Sequence, residues 1–200
     1  MGYTTYFTGE LKLSKEPTQK QFEFINNFSG CRRMGRNIDE LMKQFNGKYG
    51  LPNPKGKTAL DIYGEDGIYC TNDDNCYGGS NPTIIDHNTP PGQVLYSSKE
   101  YGDIYKENER RIEAGECQPG LWCQWILEYD ADSHILVWNG GEKFYEYTNW
   151  LKYLIKHFFE PWGIKLNGEI EWDGEDPEDL GKIVVEDNVV KEKRGRIIYD

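Results

Sequence analysis

From Tyr3 to Leu13 the chain reads YTTYFTGELKL, large β-formers alternating with small or polar residues, and predicts a first strand. A helix follows in KEPTQKQFEFINNFS. Thr18 with Gln21 three residues on has the spacing of a capping box, and Phe22, Ile25 and Phe28 fall on one helical face. NIDELMKQF repeats the device, with Asn37 and Glu40 as the box and Ile38, Leu41, Met42 and Phe45 as the apolar stripe. Between these two helices SGCRRMGR is a turn loaded with positive charge.

Residues 47 to 97 are punctuated every few positions by Gly, Pro, Asn and Asp, and predict a long irregular region holding only short strands such as GIYC and TIID. GLWCQWILEYD and HILVWNGG, joined by turn chemistry, predict a β-hairpin with Trp122 and Trp138 near its opposite ends. GGEKFYEYTNWLKYLIKHFFEPWG predicts the longest helix. Phe144, Tyr147, Leu151, Leu154, Ile155 and Phe158 recur at three and four, Glu142 and Lys143 stand at its start, and Pro161 and Gly163 stop it. IKLNGEIEW, GKIVVEDN and GRIIYD predict three further strands. The order implies an α+β fold: a largely antiparallel sheet with about three helices on one face and one long irregular loop region, in a single domain over residues 1–200.

Composition sharpens this picture. Six Trp and fourteen Tyr among 200 residues argue for a packed aromatic core or an aromatic-lined pocket. The net charge of −11 is uneven: residues 1–100 carry 11 basic and 12 acidic side chains, residues 101–200 carry 12 and 22. That balance argues against direct nucleic-acid binding through phosphates, although Arg32, Arg33 and Arg36 begin a local basic run. No apolar stretch is long enough for a membrane-spanning helix, and the opening MGYTTYFTGELKL has no export pattern. Five cysteines without an export signal suit reduced thiols and a cytoplasmic location.

Candidate chemistry is sparse. Residues 169–187 hold nine acids against Lys182, but counting from Asp173 the sixth position is Glu178, where a calcium loop needs glycine. A solvated inter-strand turn is the leading reading of this segment. Cys70 and Cys76, like Cys117 and Cys123, are five residues apart, wider than zinc knuckles favour, so no metal and no cofactor are expected. His87, His134 and His157 form no metal motif, and His157 lies with Trp150 and Tyr153 on a flank of the long helix that is either exposed or a second seam. The residue types that suit ligand binding are the guanidinium pair Arg32 and Arg33, the tryptophans Trp122, Trp125 and Trp138, the amide of Gln124 in an apolar run, and Glu142 with Lys143. Their structural alternative is an aromatic core with a capping glutamate.

At QPGLWCQW, at WNGGEKFYEYTNWLKYLIKHFFEPWG and at LNGEIEWDGEDPEDLGKIVVEDN, together with the opening GYTTYF and CRRM, the chain resembles a family of small uncharacterised cytosolic proteins of bacteria and bacteriophages. The resemblance implies a setting and carries over no activity and no site. The function expected is that of a non-enzymatic binding protein, taking a small anionic nucleotide-like molecule or a host defence protein. The alternatives are a hydrolase of a nucleotide-like substrate, with Glu142 or Glu175 as base and Arg32 or Arg33 as electrostatic stabiliser, and an acidic surface mimic acting through residues 169–187. The sequence leaves the oligomeric state open.

Overall fold

The computed structural model describes residues 2–30, 110, 112–115, 119, 122–130 and 133–198. The expected helix NIDELMKQF and the irregular region from 47 to 97 lie outside them. Six strands form one sheet: β1 (Thr5–Leu13), β2 (Trp125–Asp130), β3 (Ser133–Trp138), β4 (Leu166–Gly174), β5 (Leu180–Glu186) and β6 (Val189–Arg194). The spatial order is β2-β3-β1-β4-β5-β6, and every neighbouring pair is antiparallel. Two helices, α1 (Gln19–Ser29) and α2 (Tyr147–Leu154), cover one face, so the fold is α+β. No described helix is long and apolar enough to cross a membrane.

Period-two alternation decides which side of each strand is buried. Phe7 and Leu11 of β1 stand in register with Trp172 and Gly168 of β4, and Ile170 with Ile183 of β5, all on the helix side. Trp125, Leu127 and Leu136 extend that face into the hairpin. Gly9 and Gly168 allow β1 and β4 to approach closely. Both have positive φ, and a Cβ on either would lie 2.4 Å from a carbonyl oxygen of the opposite strand, Glu169 for Gly9 and Glu10 for Gly168.

Helix α1 starts as its sequence predicts. The Gln21 N–H donates to the Thr18 hydroxyl, and the Thr18 N–H to the Gln21 side chain. Its buried face is Phe24, Ile25 and Phe28, one step round from the expected stripe, with Phe22 half-buried at the margin. The shift follows from a second contact. Helix α1 packs on the turn that follows α2 as well as on the sheet, and there Phe24 meets Phe158 with ring centroids 5.0 Å apart.

Helix α2 differs from the expected long helix at both ends. It begins at Tyr147, after Lys143 and Glu146 in left-handed backbone, so Glu142 and Lys143 lie in the preceding loop and not at a helix start. It passes into a π-helical turn, Ile155–Phe159, in which the Glu160 N–H reaches the Ile155 carbonyl. Trp150 and Tyr153, on the flank the sequence leaves undecided, are a second buried seam against Phe28. His157 stacks on Tyr153, its Nε2 3.1 Å from the Gly115 carbonyl oxygen.

The C-terminal strands also correct the expectation. The last strand is VVKEKR, entered through Asp187 and Asn188, both at positive φ as a tight primed hairpin turn requires. The described part of GRIIYD, residues 195–198, is not a strand, and Ile198 is 84% exposed.

Candidate functional site

The expected ligand residues separate into groups. Arg32 and Arg33 lie outside the described residues. Trp125 is fully buried, its indole N–H donating to the Tyr147 carbonyl, and its ring packs on Phe7 and Phe144. Trp138 is its cross-strand partner, so Trp138 and the nearby Trp122 belong to the same end of the hairpin and not to opposite ends. Trp122 is 42% exposed.

Gln124 is buried, and its amide is satisfied within the protein. The Trp138 indole N–H donates to Oε1 at 3.0 Å, and Nε2 donates to the Glu142 carbonyl at 2.8 Å. The Asn139 N–H closes on the Gln124 carbonyl. A Cβ at Gly141 would lie 2.8 Å from Gln124 Oε1, so this loop passes directly over the amide. The structure thus joins Gln124, Trp138 and the Glu142 backbone into one brace, leaving the Glu142 and Lys143 side chains exposed.

The acidic segment is the β4–β5 turn, tied to the start of β1. Asp179 accepts from the Tyr3 hydroxyl (2.7 Å) and the Trp172 indole (3.3 Å), and Glu175 accepts from the Thr4 N–H (2.8 Å). Asp176 donates its N–H to the Tyr3 oxygen and accepts from the Glu178 N–H. The Asp176 N–H alone would lower the Tyr3 pKa, but the Asp179 carboxylate holds that phenol above its usual value. Tyr147 nearby is raised further, first by burial and then by the Asp179 and Glu192 carboxylates. Among the described residues no group of three or more His, Cys, Asp or Glu side chains is placed to hold a metal ion.

A separate arrangement occupies the sheet face away from the helices, on which no described helix or strand packs. A groove of about 740 Å³ runs across it. Register places its side chains in rows: Tyr6, Asp173 and Leu180; then Thr8, Glu171, Lys182 and Lys193; then Glu10, Glu169, Val184 and Lys191. The rows make columns of opposite sign. Glu169, Glu171 and Asp173 descend β4, while Lys182, Lys191 and Lys193 descend β5 and β6.

Some of these charges are used within the sheet. Lys182 Nζ lies 2.6 Å from Glu169, whose hydrogen bond and charge hold the ammonium above its usual pKa, and Lys191 Nζ lies 2.8 Å from Glu186, whose carboxyl it holds below the usual range. Among the described residues Glu171, Asp173 and Lys193 make no ion pair. Lys193 stands directly opposite Lys182, a like-charge pairing that the Glu169 carboxylate on Lys182 offsets in part. Tyr6, 61% exposed, stands at one end of the groove with its ring edge-on to Trp138 at 6.1 Å. Period-two alternation carries this face in the sequence. Its assembly from four strands requires the pairing, and β6 was not among the expected strands.

No protein family, curated protein or solved structure matches the chain.

Proposed function

We propose that the protein is a non-enzymatic binding protein that takes a partner polypeptide on the open face of its sheet. The observation that supports this best is the groove with Glu171, Asp173 and Lys193, which make no ion pair among the described residues, beside an exposed Tyr6. Charged groups of both signs around an aromatic anchor suit a polypeptide surface that carries both signs itself. The resemblance to small bacterial and phage proteins sets this binding in a bacterial cytosol, and a host defence protein is one partner of that kind.

A small anionic nucleotide-like ligand is the second reading, favoured by the exposed Tyr6 ring and by Lys193 and Arg194 in the groove lining. Glu171 and Asp173 lie between that ring and the cations and oppose an anion, which places this reading second.

The test compares tagged wild type with Glu171→Lys/Asp173→Lys, both purified from the native host in folded form. The expected result is a polypeptide held by the wild type and lost from the variant. A small molecule seen by native mass spectrometry and lost on Tyr6→Ala would shift the assignment to the second reading. Retention of neither by the wild type would overturn both.

A further inference from the structure

We infer that the polypeptide this face accepts is a second copy of the same chain, an inference that rests on reading the open face as a docking surface. The argument is the symmetry of its charge pattern. On a sheet whose strands are about 4.8 Å apart, the β4 and β6 columns lie about 10 Å apart with β5 midway between them. Two such faces brought together about a two-fold axis along β5 set the β4 column of each copy over the β6 column of the other.

Row for row, Glu171 then meets Lys193 of the other copy, and Glu169 meets Lys191, since each pair shares a cross-strand row. Glu171 and Lys193 make no ion pair among the described residues, and the two-fold pairs them twice. Leu180 of β5, partly exposed, falls on the axis and supplies apolar contact there, while Val184 is already buried within the chain. Lys182 meets its own symmetry mate there, but each ammonium already carries the Glu169 carboxylate at 2.6 Å.

The alternative symmetric contact, edge to edge through β6, is disfavoured by its own charges. Lys191, Glu192, Lys193 and Arg194 give that edge a cationic excess, and charged edges of this kind block strand pairing between copies. Face-to-face association turns the same lysines from a repulsive element into one half of a complementary pair.

Two effects of salt oppose one another. The net charge of −11 on each copy resists association, and added salt screens that repulsion, while the Glu171–Lys193 contacts weaken as salt rises. A charge exchange is therefore the deciding experiment. Sedimentation velocity over a micromolar concentration series is expected to show wild type in monomer–dimer equilibrium. Glu171→Lys and Lys193→Glu are each expected to weaken the dimer about tenfold or more, because each sets like charges together at both symmetric contacts. The double variant Glu171→Lys/Lys193→Glu restores opposite charges at both and is expected to recover most of the affinity, with circular dichroism confirming the fold of all three.

A monomeric wild type throughout the series, or a double variant no tighter than the singles, overturns the inference. If the wild type is monomeric while Glu171→Lys/Asp173→Lys still loses a different polypeptide from the host, the open-face reading stands and only the identity of the partner fails.

Discussion

The Asn26 side chain of α1 satisfies both backbone groups of Leu127 on the outer edge of β2. Its Nδ2 donates to the Leu127 carbonyl at 3.0 Å, and its Oδ1 accepts the Leu127 N–H at 2.8 Å. Ser29, one turn on, donates to the Trp125 carbonyl. Helix α1 thereby closes an edge that would otherwise offer itself to another strand, and β6 is the opposite edge strand of the described sheet.

Asn26→Ala is expected to destabilise the protein by about 1–3 kcal/mol, the cost of leaving buried polar groups unmet. Asn26→Asp keeps an acceptor for the N–H but sets a carboxylate against the carbonyl, so it is expected to be no less damaging. Urea unfolding of the two variants checks this. Wild-type midpoints for both would show that the amide contributes nothing to holding the edge.

Gly168→Ala and Gly9→Ala each drive a Cβ onto a main-chain oxygen at 2.4 Å and force a side chain into positive φ. Backbone strain alone costs about 1–3 kcal/mol. Gly140→Ala is the control, since it shares the positive φ but has nothing within 4 Å of its Cβ. Thermal melts are expected to place both strand variants well below the control.

Leu154 has no exposed surface, while Lys152 is half-buried at the side of α2. Leu154→Ala is expected to cost about 2–5 kcal/mol, as a buried leucine deletion does, and Lys152→Ala far less. Equal denaturation midpoints would mean that α2 does not bury the face described.

Tyr147 binds its proton more tightly folded than unfolded, because burial and the Asp179 and Glu192 carboxylates disfavour the phenolate. Its folded pKa lies above the ordinary 10.0, so unfolding releases a proton once the pH passes that value. Stability is therefore expected to fall as pH rises above 10. Tyr147→Phe is expected to lose less stability over the same alkaline range, a difference that urea titrations at stepped pH would reveal. Parallel losses in the two proteins would remove Tyr147 as the source.

Local pattern specified the pieces whose partners are close in the chain or whose period is unambiguous. The Thr18 and Gln21 box, the alternation of β1 and the turn-joined hairpin all stand in the structure, because capping and pleat act over a few residues. The acidic turn after Trp172 reads in the sequence as an inter-strand loop, and it is one, although Asp179 and Glu175 also fasten it to the start of β1.

What depended on distant contacts was not legible. Gln124 looks like an amide in need of a ligand until Trp138 and the Glu142 carbonyl arrive from later in the chain. Trp150 and Tyr153 have no evident burial until α1 lies against them. Strand β6, VVKEKR, is mostly charged and resembles a turn, yet the left-handed pair Asp187 and Asn188 folds it back on β5, whose backbone hydrogen bonds a strand needs whatever its side chains are. The open face has the same origin. Glu171, Lys182 and Lys193 are scattered along the chain from residue 171 to residue 193 and become one cross-strand row only because antiparallel register sets residues opposite one another by backbone pairing, a relation that no local window contains.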